Sequence, residues 1–185
     1  MLVRTLKRLA RVLLGDYGIY RVYVCEPPWL GANDAPSFEV GPLAPEELAQ
    51  AGEELSELDW YFGPECHAYA CRDGGALIAV AFFWHGERYR QRNFWPLRAG
   101  EAKLVQLLTI RAARGRGAAT ILVREATRAM FGQGFSKVFA RVWHSNRASV
   151  SAFERAGFRR CADVVEVFPF RSDRSRRWVR RRPGN

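Results

Sequence analysis

The stretch from Leu104 to Phe158 constrains this chain more than any other. Leu104–Ile110 is an apolar run of strand length, and the turn Arg111–Thr120 after it is basic and carries Gly115 and Gly117. From Thr120 to Phe131 the period becomes helical. Ile121, Leu122, Ala126 and Met130 fall on one face, with Arg124, Glu125 and Arg128 outward. Gly132 and Gly134 supply a stop. A second apolar run at Lys137–Trp143 predicts another strand, and Asn146–Arg155 a second helix capped by Gly157. Such a strand–turn–helix–strand–helix unit is suited to holding a phosphate-bearing ligand.

The physical reason lies in the turn. Gly115 and Gly117 leave no side chain between the backbone N–H groups and a ligand. Those amides open a helix, where unpaired N–H groups and the positive end of the dipole favour an anion. Arg111, Arg114 and Arg116 add charge, and Thr120 offers a hydroxyl in the first turn. The common nucleotide motifs do not fit: the turn has no Lys for a P-loop, and a dinucleotide fingerprint would need Gly where Thr120 stands. By itself the turn is compatible with a phosphate site and with an ordinary glycine turn.

The remaining elements follow from local signals. Tyr17–Cys25 reads as a strand ended by Pro27-Pro28, and Phe38–Val40 as a short one. Pro45 opens a helical stretch with Leu48, Leu55 and Leu58, broken near Gly52. It concentrates Glu46, Glu47, Glu53, Glu54, Glu57 and Asp59, either an exposed face or an acidic rim for a cationic acceptor. His67–Cys71 and Leu77–Trp84 flank Asp73-Gly74-Gly75, a hairpin signal. Phe82-Phe83-Trp84 and Phe94-Trp95 are aromatic clusters of core or pocket. Glu101 starts the central strand, and Phe158–Phe170 alternates enough for final strands. Arg171–Arg182 holds seven Arg and is expected to be a mobile or surface tail.

Composition excludes some classes. With 185 residues and 48% hydrophobic content the chain suits one packed domain, not a disordered one. Its net charge of +10 makes an anionic partner plausible, although nearly all of the charge is Arg. Cys25, Cys66, Cys71 and Cys161 form no CxxC pair and the three His are scattered, so no metal site is expected and free thiols in a cytoplasmic setting are. Leu2, Leu6, Leu9 and Leu13 share one helical face, with Arg4, Lys7, Arg8 and Arg11 interspersed on the other. That face packs on its own domain or makes peripheral contact with an anionic membrane through residues 1–14. Neither a secretory signal nor a spanning segment is expected from this stretch. No RNA-binding motif with stacking aromatics is present, so nucleic acid is not an expected partner.

Two motifs carry a resemblance. Arg114-Gly-Arg-Gly117-Ala-Ala119, between an apolar strand and an amphipathic helix, resembles the Arg/Gln-x-x-Gly-x-Gly/Ala signature of the GCN5-related N-acetyltransferase (GNAT) family. About thirty residues on, Asn146 through Phe153 to Gly157-Phe158 looks like that family's second half-motif. The resemblance covers 101–170 well and 38–84 coarsely. It divides the chain into an N-terminal helix-and-strand extension (1–36), a GNAT-like domain (37–170) and an Arg-rich C-terminal tail (171–185).

The resemblance implies an α/β (α+β) single domain with a mixed, mostly antiparallel central sheet flanked by helices. It also implies an acyl-CoA-dependent N-acyltransferase moving acetyl from acetyl-CoA, or another acyl-CoA, to a primary amine of a small molecule or protein by direct attack. The backbone of Leu108, Thr109 and Ile110 would pair with the pantetheine arm. Arg114, Gly115, Arg116, Gly117, Ala118, Ala119 and Thr120 would hold the pyrophosphate. Asn146 would reach the pantetheine and Arg155 the adenosine phosphate. Strands splayed near Leu108 and Arg141 would admit the cofactor. Where many members keep a Tyr acid this chain has Phe153, which leaves an acyl-CoA-binding or sensing module as the alternative. Glu101 is the candidate general base, with His144 a second choice.

Overall fold

The structure is a computed structural model that describes residues 16–28, 38–168 and 176–182. The basic helix expected at residues 1–14 lies outside the described residues. The strands are β1 (Asp16–Cys25), β2 (Glu39–Pro42), β3 (Cys66–Asp73), β4 (Ala76–Trp84), β5 (Glu101–Thr109), β6 (Lys137–Trp143), β7 (Arg159–Phe168) and β8 (Arg176–Arg181). They make one eight-stranded sheet in the order β2-β3-β4-β5-β6-β1-β7-β8. All neighbours are antiparallel except β5 and β6. The helices are α1 (Pro45–Gln50), α2 (Glu53–Ser56), α3 (Ala118–Gly132) and α4 (Arg147–Arg155). The expected mixed, mostly antiparallel sheet flanked by helices is the observed architecture.

Local chemistry accounts for the elements. The β3–β4 hairpin turns on Gly74 and Gly75, both at positive φ as a type I′ turn demands. Helix α3 ends in a Schellman motif: the Gly134 N–H reaches the Phe131 carbonyl and the Phe135 N–H that of Met130. Helix α4 ends the same way at Gly157 and Phe158. The apolar contact that accompanies such a cap is here an edge-to-face pair of Phe153 and Phe158, centroids 5.1 Å apart.

Helices α3 and α4 cover one face of the sheet, burying Leu122, Val123, Ala126, Met130 and Phe153 against Tyr23, Ala81, Phe83 and Val138. Each such large side chain contributes roughly 1.5–3 kcal/mol by leaving water. On the opposite face Leu48, Leu55 and Tyr61 pack on Val80, Phe82 and Trp84. Beside them Phe94 covers Tyr20, Val22 and Val164. Between these two clusters β5 and β6 part.

Three expectations need correction. The first strand is not an extension to the domain: β1 sits inside the sheet between β6 and β7, with Tyr20, Val22, Tyr23 and Val24 buried. It alternates two apolar faces, which only an interior strand needs. The described part of the Arg-rich segment is exposed, but residues 176–181 form β8 rather than a tail. Trp178 and Val179 pair with Val165 and Val164, while Glu166 and Asp163 of β7 take Arg177 and Arg182 at 3.0 and 3.2 Å. Arg124, placed outward by helical spacing, is buried and paired with Glu125.

Candidate functional site

Strands β5 and β6 pair in parallel only from Glu101↔Lys137 to Leu104↔Ala140. The register of β5 on β4 shifts between Phe82 and Phe83, so Val105 is an extra residue in β5. A bulge bends a strand and raises its twist. Beyond it β5 stays paired with β4 to Thr109 and loses β6. Its edge there has no strand partner, and its outward peptide groups face the gap.

Two chambers lie in the gap. The larger, about 580 Å³, runs along Leu107–Thr109 to the turn Arg114–Thr120 and across to α4. At the turn Gly115 and Gly117 have φ of +77° and +87°, and a Cβ built on either meets no atom within 4 Å. The space over the amides is therefore open. No side chain caps α3, whose N-cap is Gly117 itself, so its first N–H groups are left to a ligand. The other wall is a stripe of small residues on α4, Ala148, Ser149, Ser151 and Ala152, ended by Arg155. Asn146 heads this wall, and its Oδ1 accepts from the Ser149 N–H at 3.1 Å. That cap occupies the carbonyl side of the amide and leaves the NH₂ side for the chamber.

An extended chain with a pyrophosphate at one end fits these features. An unpaired strand edge would take its amides, and a glycine-lined helix start its phosphates.

The smaller chamber, about 160 Å³, opens on the other side of the gap. It shares Leu107, Asn146 and Ser149 with the first, so the two meet at these residues. Arg92, Phe94, Gln106, Arg141, Trp143 and Phe153 supply the rest of its chemistry. The Tyr61 hydroxyl lies just behind, donating to Gln106 Oε1 at 3.1 Å and accepting from Arg92 at 2.8 Å.

Of the residues singled out from sequence, Leu108, Thr109, Arg114, Gly115, Gly117, Ala118, Ala119, Thr120, Asn146 and Arg155 line the large chamber together. Arg116 does not. Its guanidinium turns to Asp73 at 2.6 Å and lies over Phe38. Arg114 folds back, its Nε donating to the Thr109 carbonyl at 3.2 Å. Ile110 is spent on the core, and its N–H on the Ile78 carbonyl. Phe153 is buried between Tyr23 and Phe158 and touches only the small chamber.

Glu101 is not brought to the gap. It lies at the paired end of β5, accepting from the Arg98 N–H at 2.8 Å, roughly 20 Å of strand from Leu107. His144 sits outside too, its Nδ1 3.0 Å from the Ile19 carbonyl. The acidic helices also miss both chambers. Glu47 pairs with Arg72 at 2.6 Å, and Glu54 accepts from the Arg111 N–H.

Sequence reasoning named Asn146 and Arg155 but missed Ala148, Ser149, Ser151 and Ala152 between them, and it missed the small chamber. The α4 stripe was recoverable, because 148, 151, 152 and 155 recur at helical spacing. Arg92 and Arg141 had no local signal. Among the described residues no group of His, Cys, Asp and Glu could hold a metal ion.

The sequence pattern of the Acetyltransferase (GNAT) family matches residues 33–158. Among solved structures, the chain is similar to a putative GNAT-family acetyltransferase from Novosphingobium aromaticivorans. Identity is 20% and the TM-score 0.58, over 83% of this chain and 64% of that one. It is also similar to a GNAT-family acetyltransferase from Colwellia psychrerythraea, with 18% identity and a TM-score of 0.60 over 88% and 60% of the two chains. A third is the ribosomal-protein-S18-alanine N-acetyltransferase from Escherichia coli, with 14% identity and a TM-score of 0.51 over 69% and 80%. This chain thus spans under two thirds of the length of the first two. No curated protein matches it.

Proposed function

This chain belongs to the acetyltransferase (GNAT) family, and on that premise we propose that it is an acyl-CoA-dependent N-acyltransferase, most simply an acetyltransferase, acting on a primary amine. One observation carries the reading. The open amide cradle at Gly115–Thr120 and the unpaired edge of β5 line one chamber that ends where a second chamber begins.

The amides of Gly115 to Thr120 hold the pyrophosphate, and Arg155 approaches the adenosine end. Leu107–Thr109 and the Asn146 NH₂ group hold the pantetheine arm, which places the thioester near Leu107 and Ser149. Bound there, acyl-CoA supplies an activated acyl group: the amine nitrogen forms the amide as the carbon–sulfur bond breaks, and the amine's proton ends on the thiolate. A peptide N–H of β5 near Leu108 is positioned to donate to the developing oxyanion. With Phe153 in the wall, no Tyr, Cys, His, Lys or carboxylic side chain lines that part of the gap among the described residues. A thiol of pKa about 8.5 leaves without an acid near neutral pH.

The test is twofold: calorimetric titration with CoA and acetyl-CoA, then thiol release with a panel of amines. Micromolar binding and amine-dependent release are expected. Absence of CoA binding overturns the reading. Binding with no release on any amine favours a non-catalytic acyl-CoA-binding module, the reading that Phe153 motivates.

A further inference from the structure

We propose that the small chamber takes an acceptor whose amine is accompanied by an anionic group, a carboxylate or a phosphate, held by Arg141 together with Arg92. The proposal rests on the acyl-transfer reading and names its substrate class.

Among the described residues, the chamber is lined by two guanidinium groups and no carboxylate. Arg141 Cζ lies over the rings of Tyr20, Phe94 and Trp143 at 5.4, 5.5 and 5.2 Å. Among the described residues it has no ion-pair or hydrogen-bond partner. Aromatic faces attract a cation, but they do not replace a lost hydration shell. Burial pushes the Arg141 pKa down, and the charges of Arg92 and Arg177 act in the same direction against Tyr20 and Glu166. Glu166 is committed to Arg177.

Among the described residues Arg92 likewise has no carboxylate partner. Its guanidinium is aimed by the Tyr61 hydroxyl and by the rings of Trp60 and Tyr61 at 5.2 and 5.4 Å. Lys103, fully buried behind Phe94, adds a third basic group, and among the described residues no acid answers it either. The gap is thus walled by cations short of negative charge, an arrangement that an entering anion relieves. Arg also suits the task geometrically, since its planar fork matches carboxylate and phosphate oxygens. The volume of about 160 Å³ and the flanking Phe94 and Trp143 fit a small organic molecule. A polycation meets like charge here, and the acidic residues of α1 and α2 lie outside the chamber.

Matched acceptors decide the matter: phenylalanine against phenethylamine for the carboxylate, and glucosamine 6-phosphate against glucosamine for the phosphate, with spermidine as the polycation. The wild-type protein is expected to favour one anionic member over its partner by roughly 10- to 100-fold in kcat/KM, the scale of a charge-assisted pair. Arg141→Gln should remove that preference while leaving CoA affinity unchanged, because Arg141 does not line the large chamber. Arg141→Lys should restore part of it, and Arg92→Gln, in a loop, should weaken it independently. Equal or better transfer to both phenethylamine and glucosamine than to their anionic partners, or a preference for spermidine over every anionic acceptor, overturns the proposal and leaves acyl transfer standing. If CoA binds but nothing is acylated, equilibrium binding of the same pairs to the CoA complex decides. Binding of an anionic member that Arg141→Gln abolishes sustains the proposal, and no discrimination overturns it.

Discussion

Replacing Gly117 by Ala separates what the amide cradle does for folding from what it does for a ligand. Gly117 sits at φ +87° as the N-cap of α3, and a Cβ there would meet no protein atom. Folding loses only the strain of a left-handed L-residue, about 1–2 kcal/mol. In a chain of this length that lowers Tm by roughly 2–8 °C. The ligand loses more, because the methyl group enters the space over the amides. If even one charge-assisted bond to the pyrophosphate is lost, the cost is about 1.5–3 kcal/mol, roughly a 10- to 150-fold rise in Kd.

Gly134 supplies the control. Its φ is +93°, a Cβ there is also unopposed, and it lies beyond the other end of α3. Gly134→Ala should lower Tm by a similar amount and leave CoA affinity alone. Calorimetric CoA titration and thermal melts on the three proteins read both effects. If Gly117→Ala melts like Gly134→Ala and binds CoA as the wild type does, the cradle assignment is wrong.

Two further substitutions test neighbouring claims. Asn146→Asp keeps the acceptor that caps α4 but removes the NH₂ donor, so CoA binding should weaken about tenfold with Tm held. Asn146→Ala loses both and should also cost about 1 kcal/mol of stability by urea denaturation. Lys103 addresses pH. Burial, then the charges of Arg177 and Arg141, bring its pKa down to about 7, against about 10.4 in an unfolded chain. Between those values the unfolded chain holds a proton that the folded one has released. The penalty is full below pH 7 and is relieved as pH rises towards 10. Lys103→Met removes this dependence, so its stability advantage over wild type should shrink by about 1.4 kcal/mol per pH unit from 7 to 10. Parallel stability–pH curves for the two proteins would contradict the burial of a titrating lysine.

The fold was legible in the sequence wherever the signal was local. The switch from strand to helical period at Thr120, the glycines of the two Schellman caps and the Asp73-Gly74-Gly75 turn each act within a few residues. Element bounds therefore came out close. The large chamber was legible for the same reason, since its turn and its Asn146 cap are contiguous motifs. Illegible features depended on partners far along the chain. Arg116 meets Asp73 only once the β3–β4 hairpin has packed beside the turn. Arg176–Arg181 reads as a charged tail until the carboxylates of β7 and the Trp178 and Val179 pairings stand opposite it. Glu101 begins the right strand, but the strand's length puts it at the wrong end. Arg92 and Arg141 converge from a loop and a strand, which no spacing rule relates.

The place of β1 within the sheet has a consequence for biosynthesis. Val22 and Cys161 are in contact although 139 residues separate them. At about 5–20 residues per second the ribosome needs roughly 7–28 s to supply the far partner after the near one. Until β6 is made both edges of β1, with Tyr20, Val22, Tyr23 and Val24, lack the strands that will cover them, and the edge that takes β7 waits longer still. Closure of the sheet is a late, non-local event, and slow folding and early aggregation hazard belong to the topology itself.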